Sequence, residues 1–133
     1  MYTRYGPFAY GSTLQSMNTV PAPTSAQRLA LLVEDDEVIR DCVAAWLEDL
    51  GWTVTAMGTA EEALAAVCVS AYAIAVIDVK LQGAYDGVWL AGQLQVQAPQ
   101  VSVVFATGID DLPGGATLRA NVRGYLVKPY TRR

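Results

Sequence analysis

The chain has 133 residues, 53% of them hydrophobic, and a formal net charge of −4, which suits one domain with a single core. The acidic balance, with the Lys and Arg residues scattered except for Arg132–Arg133, argues against a nucleic-acid-binding surface, and the absence of histidine removes imidazole catalysis and His metal ligation. No apolar run approaches the roughly 18 residues of a membrane span, and the N-terminus lacks a charged region followed by an apolar core, so a cytoplasmic protein with no membrane partner is expected.

Residues 1–27 read as an N-terminal extension, rich in Gly, Pro, Ser, Thr and Tyr, with Pro21-Ala-Pro23 as a linker. Tyr2, Tyr5, Phe8 and Tyr10 make it more aromatic than a solvated tail needs. Leu29 to Val33 is a buried strand that delivers Glu34, Asp35 and Asp36 to its carboxyl end. Glu37 to Leu50 follows as an amphipathic helix, with Val38, Cys42, Ala45 and Trp46 at three-four spacing and Gly51 as its stop. Asp35 or Asp36 serves as a candidate N-cap.

Thr53 to Met57 alternates and reads as a strand nearer an edge. Thr59-Ala-Glu-Glu62 fits a capping box opening a helix of about a dozen residues, with Ala63, Leu64, Val67 and Cys68 as its apolar face. Cys42 and Cys68 therefore read as small buried hydrophobes rather than as a disulfide or metal site. Ala73-Ile-Ala-Val-Ile-Asp78 is an uninterrupted apolar run ending in a carboxylate, the pattern of a strand buried on both faces of a parallel sheet. After a polar, Gly-containing loop, Val88 to Gln97 is a helix with Leu90, Ala91 and Leu94 on one side, ended by Pro99. Val101 to Ala106 is a fourth strand delivering Thr107-Gly108. Residues 109–122 carry Pro113-Gly114-Gly115 and support one or two helical turns at most. Gly124 to Val127 is a fifth strand closed by Lys128-Pro129. Strands alternating with helices in this way call for a doubly wound parallel sheet with right-handed crossovers.

In such sheets ligands bind at the carboxyl ends of the strands. Alone, Asp78 would read as the cap of the following turn. Asp35 and Asp36 beside it would crowd carboxylates that raise one another's pKa unless a cation lies between them. Mg²⁺ is hard, takes oxygen ligands and is often held by one or two carboxylates. A carboxylate is also a nucleophile toward phosphorus, and such a transfer needs a second positive charge, which Lys128 offers, while the Thr107 hydroxyl can donate to a phosphate oxygen.

Val33-Glu-Asp-Asp36, Val76-Ile-Asp-Val79, Ala106-Thr-Gly108 and Tyr125-Leu-Val-Lys-Pro129 stand in order at the strand ends. With these four motifs the chain from about Leu29 to Tyr130 resembles the receiver domain of two-component response regulators. The resemblance implies a flavodoxin-like sheet of strand order 2-1-3-4-5 and a receiver unit spanning residues 28–133. It also implies roles: Asp78 as phosphoacceptor, Asp35 and Asp36 as the acidic pair that binds Mg²⁺, and Lys80 as the residue whose backbone carbonyl completes the metal's coordination. Thr107 matches the switch hydroxyl, Tyr125 the aromatic switch and Lys128 the family's lysine, with the Lys128–Pro129 bond expected cis. The implied donor is a sensor histidine kinase or a histidine phosphotransfer protein, and self-catalysed dephosphorylation goes with it.

In the family a fifth helix follows the Lys-Pro pair, whereas only Tyr130-Thr-Arg-Arg133 follows here, too short for a stable helix. Truncation, a homodimer seam or the aromatic N-terminal extension would each account for the apolar surface left behind. Phe105-Ala-Thr-Gly108 also resembles a subgroup of stand-alone receivers in stress signalling. Two other classes remain: a receiver-like module that binds partners without phosphorylation, and an aspartyl-phosphate hydrolase of the haloacid dehalogenase type, which Lys80 in place of an acid two residues after Asp78 disfavours.

Overall fold

In a computed structural model the described residues are 28–108 and 121–128. Expectations for residues 1–27, for a weak helix within 109–120, for the Lys128–Pro129 bond and for the C-terminal residues lie outside them. Five strands form one parallel sheet: β1 (Leu29–Val33), β2 (Thr53–Met57), β3 (Ile74–Asp78), β4 (Ser102–Thr107) and β5 (Val122–Val127), in the order β2-β1-β3-β4-β5. Three helices connect them among the described residues: α1 (Glu37–Asp49), α2 (Ala60–Val67) and α3 (Gly87–Gln97). This is the doubly wound fold expected from the alternation of patterns.

Burial follows the apolar runs. β3 and β4 are buried throughout and β1 nearly so, because helices cover both faces of a parallel sheet. β2, the alternating strand, lies at the edge. Successive residues point to opposite faces. Leu31, Val33, Ala75, Ile77, Val103 and Phe105 join α2 and α3 in one core. Leu32, Ile74, Val76, Val104 and Leu126 join α1 in the other.

Two helix predictions are corrected. α1 buries Ile39, Val43 and Leu47, not the Val38, Cys42, Ala45 stripe, and Val38 is 71% exposed. The sequence carries two adjacent apolar stripes, and periodicity alone does not choose between them. The stripe with the larger side chains is the one buried, since Ile39, Val43 and Leu47 remove more apolar area from water than Val38, Cys42 and Ala45 would; Asp36 Oδ1 fixes the helix start, accepting from the Val38 and Ile39 N–H groups at 3.0 and 3.1 Å. At the other end Gly51, with φ +101°, donates to Glu48 O, and Trp52 donates to Leu47 O, a Schellman closure that Gly permits. α2 is shorter than expected, and Cys68 is exposed beyond its end, while Cys42 is half-buried. Half of its expected capping box is present: Glu62 N–H donates to Thr59 Oγ1 at 3.1 Å, while Glu62 Oε1 accepts from Gly58 N–H, one residue before the cap, at 3.2 Å.

Candidate functional site

The carboxyl ends of β1, β3, β4 and β5 bring Glu34, Asp35, Asp78, Thr107 and Lys128 to one rim of the sheet. The parallel ladder continues past the strand ends and fixes their backbones. Glu34 N–H donates to Met57 O at 3.0 Å, Val79 N–H to Ala106 O at 3.2 Å, and Lys128 N–H to Thr107 O at 2.7 Å. Lys128 Nζ lies 3.1 Å from Glu34 Oε1 and 3.2 Å from Asp78 Oδ2, with only 16%, 3% and 8% of the three side chains exposed. Asp35 is half-buried, and one oxygen each from Glu34, Asp35 and Asp78 falls within 4.8 Å of the others.

The acidic pair is thus corrected. The second carboxylate of this cluster is Glu34, whereas the Asp36 side chain caps α1. Three consecutive acids concealed the choice. A signal was present, since the acid immediately before a helical pattern is the N-cap, and the acid that prolongs the strand ladder is the one carried toward Asp78. Glu34 is further anchored: its carbonyl accepts from Arg40 Nη1 at 2.8 Å and its Oε2 from Asp36 N–H at 3.1 Å.

The loop after Asp78 is held against the cluster. Lys80 N–H donates to Asp78 Oδ1 at 3.3 Å, and Gln82 N–H donates to Asp35 Oδ2 at 2.8 Å. Gly87 opens α3 so close to the β3 end that a Cβ there would lie 2.1 Å from Asp78 O. Gly87→Ala must therefore push the loop away from the end of β3. A loss of about 1–3 kcal/mol in urea unfolding is expected for such overpacking.

Thr107 is buried, and its Oγ1 donates to Gly108 O at 3.2 Å. Tyr125 is half-buried; its ring stacks on Phe105 with centroids 5.9 Å apart, and burial raises its phenol pKa.

Two buried carboxylates share one lysine, and the charges do not balance. Burial, reinforced by the charge on Asp78 and opposed by Lys128, pushes the Glu34 pKa from 4.5 up to about 7. Burial also raises Asp78, outweighing the attraction of Lys128. For Lys128 burial disfavours the charge, but Glu34 and Asp78 together outweigh it and raise its pKa. The surplus negative charge and the three converging hard oxygens suit a divalent cation such as Mg²⁺.

A pH dependence follows. The folded chain holds a proton on Glu34 that the unfolded chain has released, so metal-free stability falls as pH rises from about 4.5 to about 7. The loss is on the order of 3 kcal/mol for a shift of this size. Denaturant unfolding in EDTA across that range checks it, and Glu34→Gln flattens the slope.

The response regulator receiver domain model matches residues 30–133. The chain belongs to the response regulator receiver family. Among curated relatives, this receiver domain is 31% identical over 109 residues to the transcriptional regulatory protein AruR of Pseudomonas aeruginosa, an alignment covering 77% of the chain and 44% of that relative. The chain spans less than half the length of the curated relatives it matches. The solved receiver domain of NtrX from Brucella abortus aligns with a TM-score of 0.70 at 31% identity, covering 77% of this chain and 87% of that one. The response regulator TrrA from Thermotoga maritima, solved in complex with Mg²⁺–BeF, aligns with a TM-score of 0.68 at 21% identity, covering 75% and 85%, and supports the receiver fold. No helix of the described part of this receiver domain is long and apolar enough to cross a membrane.

Proposed function

We propose that this receiver domain accepts a phosphoryl group on the Asp78 carboxylate from the phosphohistidine of a sensor histidine kinase or histidine phosphotransfer protein in the cytoplasm. A carboxylate oxygen attacks phosphorus, the P–N bond breaks, and imidazole leaves with the electron pair and takes a proton; the product is a mixed anhydride. The observation that carries this reading is Lys128 Nζ, held between Glu34 and Asp78 at 3.1 and 3.2 Å where the central strand ends. Its ammonium is in place to neutralise charge on the transferring group. Glu34, Asp35 and Asp78, with the Lys80 carbonyl as a further ligand, would hold Mg²⁺, which supplies charge neutralisation at the phosphoryl oxygens.

Thr107 and Tyr125 form the switch of this reading. The Thr107 hydroxyl turns from the Gly108 carbonyl to a phosphoryl oxygen, and the Tyr125 ring, which faces Phe105, follows it. Self-dephosphorylation by water resets the switch. Residues 28–133 act as the receiver unit and residues 1–27 as an extension of it.

Incubation with acetyl phosphate tests the proposal. Intact mass gains one phosphoryl group with Mg²⁺ and none with EDTA. No gain in either condition would leave a partner-binding module without phosphotransfer.

A further inference from the structure

Arg40 stands where a helix disfavours a cation. It lies in the opening turn of α1, where the partial positive charge of the helix amino end opposes a guanidinium. The residue is nevertheless half-buried, and its Nη1 donates to the Glu34 carbonyl at 2.8 Å.

Helix geometry brings it there. The Arg40 N–H donates to Asp36 O at 2.8 Å, so its backbone is fixed by the capped start of α1. Side chains on a helix lean toward its amino end, which for Arg40 is toward the carboxyl end of β1. Gly58, just past β2, completes the seat: a Cβ there would lie 3.3 Å from Arg40 Nη1 and 3.9 Å from both Glu34 O and Asp35 Cα. The guanidinium thus lies between the end of β2 and the peptide unit that follows Glu34.

That peptide unit joins Glu34 to Asp35, two of the three residues whose carboxylate oxygens fall within 4.8 Å of one another. On its near side the Glu34 N–H is fixed on Met57 O at 3.0 Å by the sheet ladder. β2 ends at Met57, and the Glu34 carbonyl takes its bond from Arg40 instead. A planar peptide turns as one body. Tilting it changes ψ of Glu34 and φ of Asp35, and with them the angle between the two side chains. Lys128 Nζ and Gln82 N–H hold those side chains at their tips, and Arg40 holds the backbone between them.

We propose that Arg40 is a positioning residue of the cation site: through the Glu34 carbonyl it sets the angle at which the Glu34 and Asp35 carboxylates converge on a divalent metal. This role rests on the proposed reading of the cluster as the Mg²⁺ site.

Charge and position predict opposite signs. Arg40 is a cation near a site for a cation, so by charge alone its removal tightens metal binding. As a positioning residue, its removal weakens binding. Mn²⁺ is the probe, because it takes the oxygen ligands that Mg²⁺ takes and its free form is counted by electron paramagnetic resonance. Arg40→Met keeps the apolar stem and drops the donor. Its Mn²⁺ Kd is expected to rise about tenfold or more over that of the wild-type chain, the usual loss for a partner that orients a ligand. In the metal-free protein the Asp35 amide signal is expected to move, while that of Ala75, in the middle of β3, stays. Should Arg40→Met not fold, Arg40→Lys is read the same way: it keeps the charge on a donor of different reach, so weaker Mn²⁺ binding follows from position alone. A Kd unchanged or lower in the folded variant, or an unmoved Asp35 amide, overturns the proposal. Wild-type protein that binds no Mn²⁺ overturns the proposed metal site itself, and this role with it.

Discussion

Replacing Asp78 with Asn will abolish phosphoryl uptake while raising the stability of the metal-free protein at neutral pH. The two effects have one cause. Asp78 is buried at the end of the central strand beside a second buried carboxylate, so its charge is held against the preference of its surroundings. Asn fills the same space and carries no charge, leaving Lys128 to pair with Glu34 alone. The amide is not a nucleophile toward phosphorus, so the acceptor is lost outright. Urea unfolding in EDTA and intact mass after acetyl phosphate read the two effects on one sample. A variant that loses uptake because it is unfolded would fail the stability half.

Removal of the Lys128 ammonium has the second largest expected effect, with the opposite sign on stability. Lys128→Ala leaves Glu34 and Asp78 facing each other with no cation between them. Both carboxyl pKa values then rise further, so the cost of folding with them ionised grows as pH increases. The variant is destabilised by roughly 3 kcal/mol near neutral pH, the scale for breaking a buried pair, and by less near pH 5. The rate of phosphoryl uptake falls by about 10²–10³-fold, the usual loss for one preorganised electrostatic group. High Mg²⁺ offsets the stability loss, because the same carboxylates hold the metal in this reading, but it does not restore the rate. A variant as stable at pH 8 as at pH 5 in EDTA contradicts the charge account.

The strands were legible because continuous apolar runs admit one placement: β1, β3 and β4 lie where their Ile, Val and Leu runs predict. The alternation of Thr53 to Met57 marked the edge for the same reason. What was not legible is phase. Val38–Cys42–Ala45 and Ile39–Val43–Leu47 are both apolar at helical spacing, and the larger apolar area of the second stripe decides between them. The cap bonds of Asp36 bear on the acidic pair instead: they take Asp36 to the helix and leave Glu34 in the cluster. β5 begins earlier than expected because the exposed Arg123 interrupts its apolar pattern on an edge strand. The approach of Gly87 to Asp78 O had no signature in the sequence beyond a Gly after Asp86, since the contact joins residues brought together by the turn into α3.

The central claim is that Asp78, rather than any neighbouring acid, carries the phosphoryl group. Borohydride reduces an acyl phosphate to an alcohol and leaves free carboxylates untouched, so the acceptor is marked as homoserine. Wild-type protein treated with acetyl phosphate and Mg²⁺, then borohydride, then digested for tandem mass spectrometry, is predicted to show homoserine in place of Asp78 alone. Homoserine at Asp35 or Asp36, the longer alcohol 5-hydroxynorvaline at Glu34, or no mark on a chain that keeps its fold would contradict the account.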